Sequence, residues 1–161
     1  MNDTFTVTGR ETYKKIHGKS KGDEEQSYID LNPKGNHIYA IIYDVKHDVI
    51  TSKERLEKIV DDAVKKENFK VLSTSYAEFD SEVAKAYTIV KIISESHVVL
   101  STYPEFNSVE LDITSCRGPD SGWMAFSYIV SKLSKNPGKP NLRTYDVQLK
   151  KSAPQGERCP A

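Results

Sequence analysis

Five residues near the middle of the chain have types suited to nucleophilic and proton-transfer chemistry. They are Glu95, Ser96, His97, Glu105 and Cys116. They fall within one stretch, Ile93 to Cys116, whose two β-branched runs of period-two character, His97 to Tyr103 and Ser108 to Ser115, predict a hairpin. Its turn is marked by Pro104, Phe106 and Asn107. Glu95, Ser96 and His97 lie at the entry, Glu105 at the turn and Cys116 at the exit, the element ends where functional groups concentrate.

The elements that position them read in order. His37 to Val45 is apolar enough for a central strand. Thr51 with Glu54 three residues on has capping-box spacing. Leu56, Ile59, Val60 and Ala63 then recur at helical intervals, predicting a helix over Ser52 to Glu67. Strands follow at Lys70 to Phe79 and, after a polar turn at Asp80 to Glu82, at Ala86 to Ser94. Arg117-Gly118-Pro119-Asp120 ends the hairpin. Trp123, Phe126, Val130 and Leu133 mark a second helical stripe that stops before Asn136-Pro137-Gly138. Asn141 to Leu149 reads as a last strand. The order β-α-β-β-β-β-α-β, with short connections, predicts an α+β two-layer sandwich: a mainly antiparallel sheet with both helices on one face.

Composition bounds the function. A chain of 161 residues, 37% of them hydrophobic, fits one domain with one core. Lys plus Arg and Asp plus Glu number 23 each, so no net field points to nucleic acid or to an anionic membrane. No apolar run approaches the ~18 residues of a membrane span. The N-terminus lacks a signal peptide's apolar centre, so a cytoplasmic protein is expected. Residues 1–34 read as a polar extension, 35–150 as the domain and 151–161 as a polar tail. Two cysteines make no disulfide framework: Cys159 is read as a bystander in the tail and Cys116 as a free thiol.

The central stretch resembles the core motif of the small prokaryotic S-adenosylmethionine decarboxylases, which cut their own chain to make a pyruvoyl cofactor. That family's motif runs Glu-Ser-His, then His-Thr-aromatic-Pro-Glu, an Asp shortly before Thr-Cys, and a helix opening with an aromatic. Here the matching residues are Glu95-Ser96-His97, Ser101-Thr102-Tyr103-Pro104-Glu105, Asp112, Ser115-Cys116 and Trp123. The resemblance covers roughly Gly35 to Leu149. It implies that the Ser96 hydroxyl attacks the Glu95 carbonyl, that the resulting ester eliminates, and that residue 96 becomes a pyruvoyl group. The ketone of that group condenses with a substrate amine and acts as an electron sink for decarboxylation. It implies that Cys116 returns a proton to the α-carbon, where the residue taken alone would be a buried small hydrophobe ending a strand. It implies that Glu105 accepts hydrogen bonds from the ribose hydroxyls of S-adenosylmethionine, that Phe79 stacks on adenine, and that Thr88 assists cleavage. Outside the resemblance Glu105 is a solvated turn residue and Phe79 plain core. The family also implies a homo-oligomer and polyamine (spermidine) synthesis, with no metal.

Three positions depart from the family's pattern. Ser101 stands where it carries histidine, Ile41 where it usually has an acid and Ala77 where histidine is common. His97 lies on the same strand face as Ser101, but four strand residues span about 13 Å, at ~3.3 Å each, too far for its ring to cover position 101. Two readings follow. One is a pyruvoyl-dependent decarboxylase of S-adenosylmethionine or a related small molecule. The other is an uncut relative that binds S-adenosylmethionine or a conjugate of it, as a non-decarboxylating lyase or a regulator.

Overall fold

A computed structural model describes residues 35–149, with side chains through Tyr145. The extension over 1–34, the tail over 151–161 and Cys159 lie outside the described residues. The elements are β1 (Gly35–Tyr43), α1 (His47–Ile50), α2 (Lys53–Lys66), β2 (Val71–Asp80), β3 (Lys85–Ile93), β4 (Ser96–Tyr103), β5 (Ser108–Ser115), α3 (Trp123–Leu133) and β6 (Asn141–Leu149). A 3₁₀ turn, Pro104–Phe106, joins β4 to β5, and Asn107 closes it in the left-handed region at φ 47°. The six strands form one sheet in the order β2-β3-β4-β5-β1-β6, with every neighbouring pair antiparallel.

Two local readings are corrected. The N-cap of α2 is Ser52, whose Oγ accepts the Arg55 N–H at 3.5 Å, not Thr51. Thr51 instead ends α1, a four-residue helix that periodicity cannot reveal, and its hydroxyl donates to the His47 carbonyl at 2.8 Å.

Burial alternates along the inner strands. Ile38, Ala40 and Ile42 of β1, Val98 and Leu100 of β4, and Leu111 and Ile113 of β5 are fully buried. With Leu56, Val60 and Ala63 of α2 and Phe126, Ile129, Val130 and Leu133 of α3 they form one core. Trp123 packs against it and meets Phe126 edge-on, ring centroids 5.2 Å apart. This is the α+β sandwich the two apolar stripes require, since each helix buries its stripe on the same sheet face. The opposite face of the sheet is covered by no described element, and the edge strand β2 is exposed along its whole length.

One buried carboxylate knits the helical layer together. Gly122 precedes α3 at φ 94°, where a Cβ would come within 2.8 Å of Ile113, so no N-cap side chain is possible there. Glu67, buried just past the end of α2, takes over: its Oε2 accepts the Met124 and Ala125 N–H groups at 2.9 and 3.1 Å. Its Oε1 pairs with Arg117 Nη2 at 3.1 Å. The anion thus satisfies orphan donors at the positive end of a helix dipole. Glu67→Ala is expected to lower the unfolding free energy by about 2–4 kcal/mol, because it strands two amides and an arginine together. Urea denaturation measures it.

Candidate active site

The two ends of the stretch from Glu95 to Cys116 meet at one end of the sheet, where Ser96 pairs with Ser115. Ile93 pairs with Ser96 across the two-residue turn Ser94-Glu95. Such hairpins favour turns with positive φ at a central residue, but among the described residues the non-glycine positive φ values fall at Asp44, Asn68, Ser96 and Asn107. The turn therefore displaces the strain onto Ser96, at φ 153°. That region is essentially restricted to glycine and costs about 1–3 kcal/mol. At this φ the Ser96 Cβ lies on the same side of the N–Cα bond as the Glu95 carbonyl carbon, about 30° from eclipse.

The same carbonyl is held from behind: the Cys116 backbone N–H donates to the Glu95 oxygen at 3.1 Å. The Glu95 carboxylate accepts the Ser94 hydroxyl at 2.7 Å and lies 3.9 Å from Arg117 Nη1, which donates to the Asn68 carbonyl at 3.1 Å. Arg117 so anchors this turn to the Glu67 network. Cys116 is a free, exposed thiol; the alternative of a buried small hydrophobe is overturned, because the strand ends at Ser115 and the chain turns outward there.

Strand register resolves the uncovered face into two clusters. At the Ser96 end, the Ser96 hydroxyl lies 3.1 Å from His97 Nδ1, and His97 Nε2 lies 3.4 Å from Asp112 Oδ1. The Thr114 hydroxyl donates to that oxygen at 3.2 Å. His37 Nε2 is 3.1 Å from it as well, but off the line of a hydrogen bond, and has no partner.

The second cluster lies midway along the strands. Ala77, Thr88, Ser101, Glu110, Ile41 and Arg143 are successive cross-strand partners, one row across five strand pairs. All three positions that depart from the family pattern fall in this row. Thr88 and Ser101 hydroxyls hydrogen-bond at 3.0 Å. Glu110 Oε2 accepts the Tyr103 hydroxyl at 2.9 Å. That hydrogen bond, then burial, pushes the Tyr103 phenol up; burial first and the Glu110 charge next do the same to Tyr39, so both stay protonated donors.

The structure brings Glu95, Ser96 and Cys116 together, and Thr88 with Ser101. It does not bring the two groups together within one chain: five residues separate Ser96 from Ser101, about 16 Å of strand at ~3.3 Å each. Glu105 sits in the turn at the far end of β4, nine residues on from Ser96, and is exposed. Phe79 is 53% exposed on β2, paired with Ala86, toward that far end too; the reading of Phe79 as core is overturned because it lies on the sheet face that no described helix covers. A cleft of about 400 Å³ lies beyond the C-terminus of α2, lined by residues such as Asp61, Lys65 and Phe69, and touches none of the motif residues. Sequence reasoning passed over Asp112, His37 and Glu110 as site residues. Their signal was parity: all fall on the same sheet face as His97 and Ser101. Among the described residues no group of three or more His, Cys, Asp and Glu side chains is arranged to hold a metal ion, and no helix is long and apolar enough to cross a membrane.

A sheet covered by helices on one face only, with its strands in this order, defines a class of fold that a known protein shares. The family model described as S-adenosylmethionine decarboxylase matches residues 36–142. Proteins named S-adenosylmethionine decarboxylase proenzyme are similar in sequence. That of Aquifex aeolicus is 32% identical over 112 residues, 70% of this chain and 79% of the relative. That of Sulfurisphaera tokodaii is 31% identical over 99 residues, 62% of this chain and 78% of the relative. A crystal structure of the adenosylmethionine decarboxylase from Aquifex aeolicus VF5 shares the fold, with a TM-score of 0.66 over 79% of this chain and 99% of that one at 24% identity. This chain belongs to the S-adenosylmethionine decarboxylase family.

Proposed function

We propose that the chain is a self-cleaving, pyruvoyl-dependent lyase acting on S-adenosylmethionine or a closely related amine, in the decarboxylation that feeds polyamine synthesis. The observation that carries the reading is the Glu95–Ser96 junction. Closing the five-membered ring of an N-to-O acyl shift requires Ser96 Cβ and the Glu95 carbonyl carbon to lie on the same side of the N–Cα bond, the geometry of φ 153°. The Cys116 N–H, 3.1 Å from the carbonyl oxygen, is placed to hold the oxyanion formed there. Oγ–C bond formation and C–N cleavage give an ester. Loss of the residue-96 α-proton with departure of the Glu95 carboxylate, then entry of one water and release of one ammonia, leave the pyruvoyl group. When formed, that group supplies the ketone that accepts electrons from the departing carboxylate of the substrate. In this reading Cys116, whose backbone N–H meets the Glu95 carbonyl, supplies the thiol that returns a proton.

The separation of Ser96 and Cys116 from Thr88, Ser101, Glu105 and Phe79 supports a homo-oligomer. Two copies meeting through their uncovered sheet faces in opposite directions set the Ser96 end of one chain against the Ser101 row of the other. The retained Glu105 then supplies a carboxylate for ribose hydroxyls and Phe79 a ring for adenine. The uncut lyase or binder is the reading favoured by Ser101, where the histidine is missing.

Mass spectrometry of the purified protein over time is the test. Chains 1–95 and 96–161, the second blocked by a pyruvoyl group, accumulate alongside carbon dioxide release from S-adenosylmethionine. A chain that remains intact while consuming S-adenosylmethionine selects the uncut lyase.

A further inference from the structure

We propose that His97 is the general base that activates Ser96 for self-cleavage, and that Asp112 is its positioning residue. The inference rests on the reading above and identifies where the Ser96 proton goes in a chain whose motif histidine is Ser101. Among the described residues the imidazole that touches the Ser96 hydroxyl is that of His97: Nδ1 is 3.1 Å from Oγ. Adjacent residues on a strand point to opposite faces, so this contact is not what β4 dictates. It exists because φ 153° at Ser96 swings the hydroxyl out of the strand's alternation toward the open face. The rotation that sets Cβ beside the Glu95 carbonyl therefore also delivers Oγ to a base.

The far side of the ring completes the arrangement. Asp112 Oδ1 lies 3.4 Å from Nε2 but outside hydrogen-bond alignment, so its charge acts through space: it favours a proton on Nε2, leaving Nδ1 free to accept, and stabilises the imidazolium once the proton arrives. Thr114 donates to the same oxygen and fixes it. His37 and Tyr39, both on β1, are further ionisable groups against that carboxylate; His37 competes for it, and Tyr39 is its cross-strand partner. Ile92 of β3 is the apolar neighbour in register with His97. In the step itself Ser96 Oγ–H passes its proton to Nδ1 as Oγ bonds the Glu95 carbon. The imidazolium then returns that proton to the residue-96 nitrogen as the C–N bond breaks, so no outside reactant is needed.

The experiment follows the intact chain by mass spectrometry in the wild type, His97→Ala, His97→Gln and Asp112→Asn. Each is checked for wild-type circular dichroism, with and without added imidazole. The expected result is cleavage slowed ~10²-fold or more in both His97 variants, partial recovery of His97→Ala by free imidazole, and a smaller loss without imidazole rescue in Asp112→Asn. Two results overturn the inference alone: cleavage at the wild-type rate in both His97 variants, or slow cleavage in folded His97→Ala that imidazole does not restore. A wild-type chain that never cuts overturns the reading beneath it, and the inference with it.

Discussion

Ser96→Ala is expected to persist as one full-length chain and to release no carbon dioxide from S-adenosylmethionine, while folding normally. The substitution removes the hydroxyl oxygen that takes over the Glu95 acyl group in this mechanism. It removes as well one hydroxyl-to-imidazole hydrogen bond, worth about 0.5–1.5 kcal/mol, too little to unfold a domain with a continuous core. Ser96→Gly separates reactivity from strain more sharply. Glycine adopts φ 153° at no steric cost, so this variant is expected to be equally uncut and yet to gain up to about 1 kcal/mol relative to Ser96→Ala in urea denaturation. Ser96→Gly no more stable than Ser96→Ala removes the strain argument. Either variant turning over S-adenosylmethionine like the wild type removes the pyruvoyl mechanism and leaves the uncut lyase.

The fold was largely legible because its signals are local. The stripes Leu56-Val60-Ala63 and Phe126-Val130-Leu133 announce one buried face each, and strand boundaries fall within two residues of the alternation that predicts them. What was illegible is what depends on register. Nothing in the sequence says that β1 inserts between β5 and β6. Without that order, Ile41 cannot be seen to face Glu110, nor Ala77 and Ser101 to share a row with Thr88. The site residues looked like one constellation because they crowd one stretch of sequence, but a strand of eight residues carries its two ends far apart. The Ser96 conformation was hidden for a different reason: Ser94-Glu95 contains no glycine or asparagine to advertise an unusual turn, so the backbone places its positive φ one residue later. Strand spacing does keep the His97 ring from position 101, but spacing along a strand carries no sign of the contact with Ser96, which exists because Ser96 itself turns toward the ring.

Register also converts the missing histidine into a prediction about two chains. Ser101→His is expected to accelerate self-cleavage, by ~10² or more if the restored imidazole acts as a full acid or base. It cannot do so within its own chain, since about 16 Å of strand lies between position 101 and Ser96. In an assembly joined through the uncovered faces, the new ring approaches the Glu95–Ser96 bond of the second copy, near that copy's His97 and Asp112. A chain carrying Ser96→Ala and Ser101→His together has no bond of its own to cut, and co-expressed with the wild type it should hasten cleavage of the wild-type chain, read by the masses of fragments 1–95 and 96–161. Acceleration confined to chains that carry both Ser96 and His at position 101, with none passed to a partner, would place the site within one protomer and overturn the face-to-face arrangement. No acceleration in either setting would mean that the row through Thr88, Ser101 and Glu110 has left the cleavage chemistry.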